Sequence, residues 1–154
     1  MVAMTQDRVC IGADEVQLVT FFCGDVLLGL RIEQVQEINR QTTVTPVPEA
    51  SDFVSGAINL RGELATVIDL NKVLGLARPS ITKKTRNVMV TQEKELIGLL
   101  VDSVSDIITV PVTDLVESPA NVIGIDARFF QKVYVTPDNI VVLLELDEVI
   151  QQNE

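Results

Sequence analysis

Apolar and polar residues alternate over several short stretches of the chain, and this spacing is typical of half-buried β-strands. Residues 16–23 and 26–30 show the alternation on either side of a turn that begins at Gly24, so they predict a β-hairpin. Residues 31–38 differ, because an apolar residue recurs at every third position. This spacing predicts a helical turn that runs into a strand.

A second hairpin is predicted by residues 54–60 and 63–68, which flank a turn that contains Arg61. Asp69 follows this hairpin and is suited to cap a short helix. Gly75 lies where a left-handed residue is expected to end that helix.

The second half of the chain repeats the first. Residues 29–38 align without gaps on residues 98–107, with an offset of 69 positions. Residues 67–74 correspond to residues 143–150, where the offset has grown to 76. We expect the seven extra residues in a longer turn around residues 136–139.

A repeat of about 70 residues is too long for a solenoid unit and too short for an independent large domain. It predicts two related β-barrels that share an interface. The predicted domain spans residues 15–150, with halves at 15–78 and 86–150, between tails at 1–14 and 151–154.

Composition narrows the possible interior and partners. Of the 154 residues, 47% are hydrophobic but only 4% are aromatic, so the core must be built from aliphatic side chains that favour strands. The formal net charge of −10 disfavours nucleic acid and anionic membranes as partners. No apolar run approaches the roughly 20 residues of a membrane span. The start of the chain lacks the apolar centre of a signal peptide, so we expect a cytosolic protein without direct membrane insertion.

Few residues are suited to catalysis or metal binding. The chain has no histidine, which excludes histidine-based triads, general bases and metal ligands. Cys10 and Cys23 do not form a CxxC motif, and Cys23 is predicted to be a buried thiol in a strand. No glycine-rich phosphate loop is present. We therefore expect no cofactor, no metal and no enzymatic activity.

Charged residues at three places permit two interpretations. Glu33 with Glu37, and Asp102 with Asp106, are spaced four residues apart and could support acid/base chemistry. The alternative, a solvated polar face, is favoured because no base, nucleophile or metal ligand is near them in sequence. Arg61 is either a solvated turn residue or an exposed anchor for a protein partner.

A family resemblance rests on residues 56–62, with the sequence Gly-Ala-Ile-Asn-Leu-Arg-Gly, and on the Val-Ile-Asp-Leu stretch at 67–70. Further matches keep their order and spacing. They are Gly29, Val35-Gln36-Glu37-Ile38, Pro46-Val47-Pro48, Phe53, Gly98, Val101-Asp102 and Val104-Ser105-Asp106. Over residues 15 to 150 the chain resembles CheW-like proteins.

The resemblance implies a mainly β fold of two intertwined SH3-like five-stranded β-barrels with short helices. It also implies a non-catalytic chemotaxis adaptor that couples the cytoplasmic tips of methyl-accepting chemoreceptors to the regulatory domain of the histidine kinase CheA. Such an adaptor would be cytoplasmic and recruited to membrane-associated receptor arrays.

The resemblance also implies site residues. Val35, Val104 and Ile107 would line a receptor-binding groove, and Glu37, Gly56 and Arg61 would belong to a polar contact region for the kinase or receptor. Val35 and Val104 could instead be core residues. Asn71 stands where the family often has arginine, and the missing positive charge bears on partner choice.

Two other functions stay open at this point. The chain could be a CheW-like adaptor of a pilus- or gliding-motility pathway, which gene neighbours would distinguish. It could also be a small ligand-binding β-barrel or an enzyme that uses the acidic pairs. Stabilisation by a metabolite would favour that alternative, whereas co-purification with a kinase or receptor fragment would favour the adaptor.

Overall fold

The computed structural model describes residues 14–40, 44–48, 52–76, 81–117 and 127–151. These residues form eleven strands, two short α-helices and three short 3₁₀ turns. The strands are β1 Glu15–Cys23, β2 Val26–Arg31, β3 Val35–Asn39, β4 Val54–Leu60, β5 Glu63–Asp69, β6 Arg86–Gln92, β7 Glu95–Val101, β8 Ser103–Pro111, β9 Leu115–Val116, β10 Phe130–Val135 and β11 Ile140–Leu144. The helices are α1 Leu70–Val73 and α2 Leu146–Gln151, and the 3₁₀ turns are Ile32–Gln34, Val112–Asp114 and Ala127–Phe129.

The local predictions for the first half are largely confirmed. β1 with β2, and β4 with β5, are the two predicted antiparallel hairpins. The 3₁₀ turn Ile32–Gln34 leads directly into β3, as the three-residue apolar spacing indicated. Gly75 has a φ of 75° at the end of α1. Asp69 occupies the N-cap position, but its side chain makes no capping hydrogen bond, so the predicted cap is wrong in this respect.

The strands form two mixed sheets, which confirms the mainly β fold. One sheet has the order β3-β6-β7-β5-β4 and the other has the order β8-β1-β2-β11-β10-β9. The second sheet has a sixth strand because the two-residue β9 pairs with β10. No helix in the described ranges is long and apolar enough to cross a membrane.

Each sheet combines strands from both halves of the chain. The five-stranded sheet contains β3, β4 and β5 with β6 and β7, whereas the six-stranded sheet contains β1 and β2 with β8 to β11. If each strand is exchanged with its counterpart, β1 with β6, β2 with β7, β3 with β8, β4 with β10 and β5 with β11, the order of the first sheet becomes that of the second, apart from β9. The hairpin β1–β2 is thus exchanged for the hairpin β6–β7, which is the sense in which the two units are intertwined.

The strand register agrees with the offsets found in the sequence. The parallel strands β5 and β7 place Val67 opposite Gly98, and the parallel strands β11 and β2 place Leu143 opposite Gly29. Gly29 and Gly98 are 69 positions apart, and Val67 and Leu143 are 76 apart. The division into duplicated halves stays a prediction, and these registers support it.

The position of the seven extra residues corrects one expectation. Val54 pairs with Ile68, and Phe130 pairs with Leu144, so the offset is already 76 at the start of β4 and β10. The turn at residues 136–139 is therefore no longer than its counterpart at residues 60–63. The extra residues lie between β8 and β10, where β8 extends further and β9 is added.

Within the described ranges, three hydrophobic clusters stabilise this arrangement. The largest contains buried side chains from both sheets and both helices, including Phe21, Leu28, Val88 and Leu99. The two smaller clusters each contain strand residues of one sheet only. Most of the buried apolar surface is consequently shared between the two units, and neither unit has a large core of its own.

Gly29 and Gly98, which occupy the same position in the two repeats, allow close packing where parallel strands pair. A Cβ at Gly29 would lie 3.2 Å from Cγ1 of Val141, and a Cβ at Gly98 would lie 3.2 Å from Sδ of Met89. Any larger residue would have to displace these buried side chains. This explains why both halves carry glycine at the same point.

Candidate functional site

Arg61 lies at the exposed tip of the β4–β5 hairpin. Arg61 and Gly62 both have left-handed backbone conformations, with φ angles of 52° and 81°, which is the pattern of a type I′ turn. The N–H of Gly62 donates a hydrogen bond to Oδ1 of Asn59, at 3.0 Å, and this bond closes the turn. The local sequence Asn-Leu-Arg-Gly thus forces the arginine outward at the end of a rigid hairpin.

The structure brings together Glu37 and Arg61, two of the residues predicted to contact a partner. Nη2 of Arg61 lies 2.7 Å from Oε2 of Glu37, and the two side chains are 75% and 25% exposed. Ion pairs this exposed typically contribute only about 0.2–1 kcal/mol to stability. The pair therefore holds both charges in place at the surface rather than stabilising the fold.

Gly56, which was also predicted to belong to the polar contact region, lies within β4. It is buried, with a φ of 153°, and a Cβ there would lie 2.5 Å from the carbonyl oxygen of Thr45. Thr45 and Ala57 exchange two backbone hydrogen bonds of 2.9 and 2.8 Å across this point. Gly56 thus allows the loop at residues 44–48 to pack on β4. The structure therefore gives Gly56 a conformational role, and its membership of the polar contact region stays a prediction.

Val35 and Val104 occupy equivalent positions on two edge strands. Val35 on β3 pairs with Val90, and Val104 on β8 pairs with Phe21. Both valines are half-buried and pack against the core cluster shared by the two sheets. The sequence allowed each valine to be either a core residue or a groove residue. In the structure each valine contacts the core and also leaves part of its surface in solvent.

Ile107 is the most accessible of the predicted groove residues. It lies on β8, three residues after Val104, and is 57% exposed. Its counterpart on β3, Ile38, is 41% exposed and was not predicted as a site residue. The 69-residue repeat could have identified Ile38, because it aligns with Ile107. Large exposed aliphatic side chains on edge strands are suited to contact another protein.

The acidic residue Asp102 has an internal role. Its carboxylate accepts hydrogen bonds from the N–H of Gly24 and, at 3.3 Å, from Nδ2 of Asn71. It thereby connects α1 to the β1–β2 turn. Asn71 is buried, so in this chain its side chain makes an internal contact, and the bearing of this position on partner choice stays a prediction.

The thiol of Cys23 is buried beside this contact, as predicted for a strand cysteine. Burial, and secondarily the nearby Asp102, raise the pKa of Cys23 well above its usual range. A thiol that stays protonated is a poor nucleophile. Cys10 lies outside the described residues, as do residues 1–13 of the predicted tail 1–14 and residues 152–154 of the predicted tail 151–154. No cluster of three or more potential metal ligands occurs within the described part of the chain.

Comparison with known proteins identifies the family. Residues 17–154 match the CheW-like domain. The chain belongs to the CheW-like family. A chemotaxis protein CheW of Rhizobium meliloti is 33% identical over 138 residues, covering 90% of this chain and 89% of that protein. Protein FrzA of Myxococcus xanthus is 32% identical over 102 residues, which is 64% of each chain.

The fold comparison agrees with this assignment. The crystal structure of the scaffolding protein TtCheW from Thermoanaerobacter tengcongensis superposes with a TM-score of 0.81 at 30% identity. The match covers 92% of this chain and 91% of TtCheW. This CheW-like protein is accordingly a chemotaxis adaptor of a scaffold family, and the arrangement of two intertwined units is the fold of that family.

Proposed function

We propose that this adaptor couples the cytoplasmic tips of methyl-accepting chemoreceptors to the regulatory domain of the histidine kinase CheA, without catalysing a reaction. The observation that carries the proposal is the match to the CheW-like domain over residues 17–154, together with the near full-length similarity to a scaffolding protein. The protein would act in the cytoplasm at membrane-associated receptor arrays.

The receptor contact is assigned to the exposed part of β8 and to the half-buried valines. Ile107 presents most of a large apolar side chain to solvent, and Val35 and Val104 extend the apolar surface towards the shared core. An amphipathic receptor helix could bury apolar residues against these side chains. The affinity would come from desolvation of apolar surface, at about 25 cal/mol per Å² before the costs of association.

The polar contact is assigned to the Glu37–Arg61 pair. Both charges are held at the surface by the type I′ turn and by the edge strand β3. An arginine with a fixed guanidinium is a frequent anchor in protein interfaces. Gly56 supports this contact indirectly, because it permits the loop at residues 44–48 to pack against the hairpin that carries Arg61.

The proposal is tested by reconstitution of a three-component complex. Full-length protein would be mixed with membranes containing a chemoreceptor and with full-length CheA, and the kinase that sediments with the membranes would be measured. We expect CheA to sediment only when the adaptor is present. Binding of the adaptor to neither component would refute the proposal.

A matched pair of variants tests the receptor contact. Ile107→Glu places a carboxylate where a receptor helix would bury apolar surface, so receptor binding should weaken more than tenfold. Val135→Glu is the control, because Val135 is also 57% exposed but lies on β10. Equal receptor binding by both variants, with unchanged kinase binding, would show that Ile107 is outside the receptor contact.

The relatives named as chemotaxis proteins favour a chemotaxis pathway over the pilus or gliding alternative. The ligand-binding or enzymatic alternative would require a site for its chemistry. Glu37 forms an ion pair with Arg61 and Asp102 accepts hydrogen bonds from Gly24 and Asn71, which supports the adaptor over this alternative. A screen of metabolites by thermal shift should accordingly give no stabilisation.

A further inference from the structure

Basic side chains are concentrated in one part of this acidic protein. The net charge is −10, yet residues 77–86 contain four of the twelve basic residues and no acidic residue. Lys83, Lys84 and Arg86 of this segment are among the described residues, and Arg40 is near them in the fold. A local excess of positive charge in a chain that otherwise repels anions marks a surface for an anionic partner.

An open cleft of about 460 Å³ lies between these basic residues. It is lined by Arg40, Thr82, Lys83, Thr85 and Arg86. No acidic side chain lines this cleft within the described part of the chain. The cleft therefore presents three cations to solvent without a neutralising carboxylate in its lining.

The backbone of the turn beside the cleft is already hydrogen-bonded within itself. The N–H of Thr82 donates to Oγ1 of Thr85 at 2.9 Å, and the N–H of Lys84 donates to Oγ1 of Thr82 at 3.1 Å. The N–H of Thr85 donates to the carbonyl of Thr82 at 3.2 Å. A phosphate-binding loop needs such N–H groups for its ligand. Because these three N–H groups are already used within the turn, a ligand of the cleft would be bound by the cationic side chains.

Arg86 is held in a fixed orientation at the cleft. Its Nη1 donates to the carbonyl oxygens of Lys83 and Thr85, at 2.7 and 2.8 Å. A guanidinium fork held in this way at the cleft matches the geometry of a carboxylate.

The cleft adjoins the candidate partner-binding surface. Arg40 directly follows β3, and Arg86 begins β6, which pairs with β3 next to this point through Asn39 and Asn87. Arg40 is three residues beyond Glu37, which corresponds to about 10 Å along an extended strand. A protein segment lying along the free edge of β3 would therefore reach both the Glu37–Arg61 pair and the cleft.

We propose that the cleft binds the carboxylate side chains of an acidic segment in the protein partner that contacts β3. This inference rests on the proposed adaptor function and adds the charge of the segment that the adaptor recognises. Attraction between surface charges acts over about 10 Å at physiological salt. The basic cleft would consequently increase the association rate and fix the direction of the segment along β3.

The test compares charge reversals at the two ends of β6. Arg40→Glu and Lys83→Glu alter the cleft, whereas Lys94→Glu alters the hairpin tip at the far end of β6, about 20 Å away. Binding of each full-length variant to receptor-containing membranes and to full-length CheA would be measured at low and physiological salt. Thermal unfolding of each variant would confirm that it is folded.

We expect Arg40→Glu and Lys83→Glu to weaken binding to one partner at least fivefold, mainly through the association rate, and to reduce its salt dependence. Lys94→Glu should bind as wild type does. If wild type binds its partners and the cleft variants bind equally well, this inference is wrong and the adaptor function stands. If wild type binds neither partner, the proposed function itself fails.

A further measurement distinguishes a site for a small anion. Inorganic phosphate at millimolar concentration should not raise the melting temperature of wild type more than that of Lys83→Glu. A phosphate-dependent stabilisation that is lost in Lys83→Glu, with partner binding unchanged, would overturn the assignment to an acidic protein segment.

Discussion

Strands β3 and β8 occupy equivalent edges of the two sheets but present different surfaces. Val35 and Val104 pack against the same shared core, and Ile38 and Ile107 both expose a large apolar side chain. The two edges are thus alike in their apolar residues: each has one half-buried valine and one exposed isoleucine at equivalent positions.

The polar contacts distinguish the two edges. On β3, Glu37 forms an ion pair with Arg61. On β8, the equivalent Asp106 uses its backbone, because its N–H donates to Oγ1 of Thr20 at 3.0 Å. The register aligns Arg61 with Pro137, so the β10–β11 hairpin has no arginine at the equivalent position.

The comparison distinguishes what the repeated strands contribute from what the β4–β5 turn contributes. The repeated strands provide the framework and the partly exposed apolar side chains on both sheets. Arg61 and the basic residues of the cleft lie beside β3, and they come from the turn between β4 and β5 and from the segments that line the cleft. We infer that partner specificity resides in the connections, where the two halves have diverged, and that the shared strands provide rigidity.

The largest expected effect follows from separating the two halves. A fragment of residues 1–78 retains β1 to β5 but loses β8, β6, β7 and β11, with which β1, β3, β5 and β2 pair. It would also expose the core cluster shared by both sheets. We expect it to be unfolded or aggregated, as measured by circular dichroism and size exclusion. Cooperative unfolding of a monomeric fragment would show that each half folds independently.

The second-largest effect on stability is expected from a substitution at Gly56. Gly56→Ala must adopt a φ of 153° and place its Cβ 2.5 Å from the carbonyl oxygen of Thr45, so we expect a loss of about 3 kcal/mol in the free energy of unfolding. The register aligns Gly56 with the exposed Lys132. Lys132→Ala should therefore change stability by less than about 0.5 kcal/mol. Similar values from denaturant unfolding of the two variants would contradict the conformational role of Gly56.

A moderate effect on the free energy of unfolding is expected from truncating Val35 or Val104. Val35→Ala and Val104→Ala should each cost about 1 kcal/mol, because both valines contact the shared core but remain partly solvated. Ile38→Ala and Ile107→Ala should cost less than this because both side chains are exposed. Chemical denaturation of the four variants measures the difference. If the valines cost no more than the isoleucines, they contribute to the surface alone.

The smallest effect on stability is expected at Arg61. Its side chain is 75% exposed, so Arg61→Ala should change the free energy of unfolding by less than about 0.5 kcal/mol. Coupling of receptor to kinase should nevertheless fall. Lys94→Ala is a matched control, since Lys94 lies at the β6–β7 tip with a similarly left-handed φ of 70°. Normal coupling by Arg61→Ala would place Arg61 outside the partner contacts.

The sequence by itself determined the two hairpins of the first half, their turns and the repeat. These features depend on local periodicity and on turn residues such as Gly62, and interactions between neighbours in the chain are sufficient to specify them. The offsets of 69 and 76 also agree with the registers of the parallel pairs, in which Gly29 and Gly98 pack tightly against neighbouring side chains.

Only the tertiary structure decided which hairpin belongs to which sheet and where the charged groups meet. The exchange of β1–β2 for β6–β7 places partners far apart in sequence, and no local pattern records such a pairing. The burial of Gly56 and Asn71 likewise depends on a loop and a carboxylate contributed by distant segments. The ion pair of Glu37 with Arg61, and the cleft between Arg40 and Arg86, form because folding brings together charges that the linear sequence keeps separate.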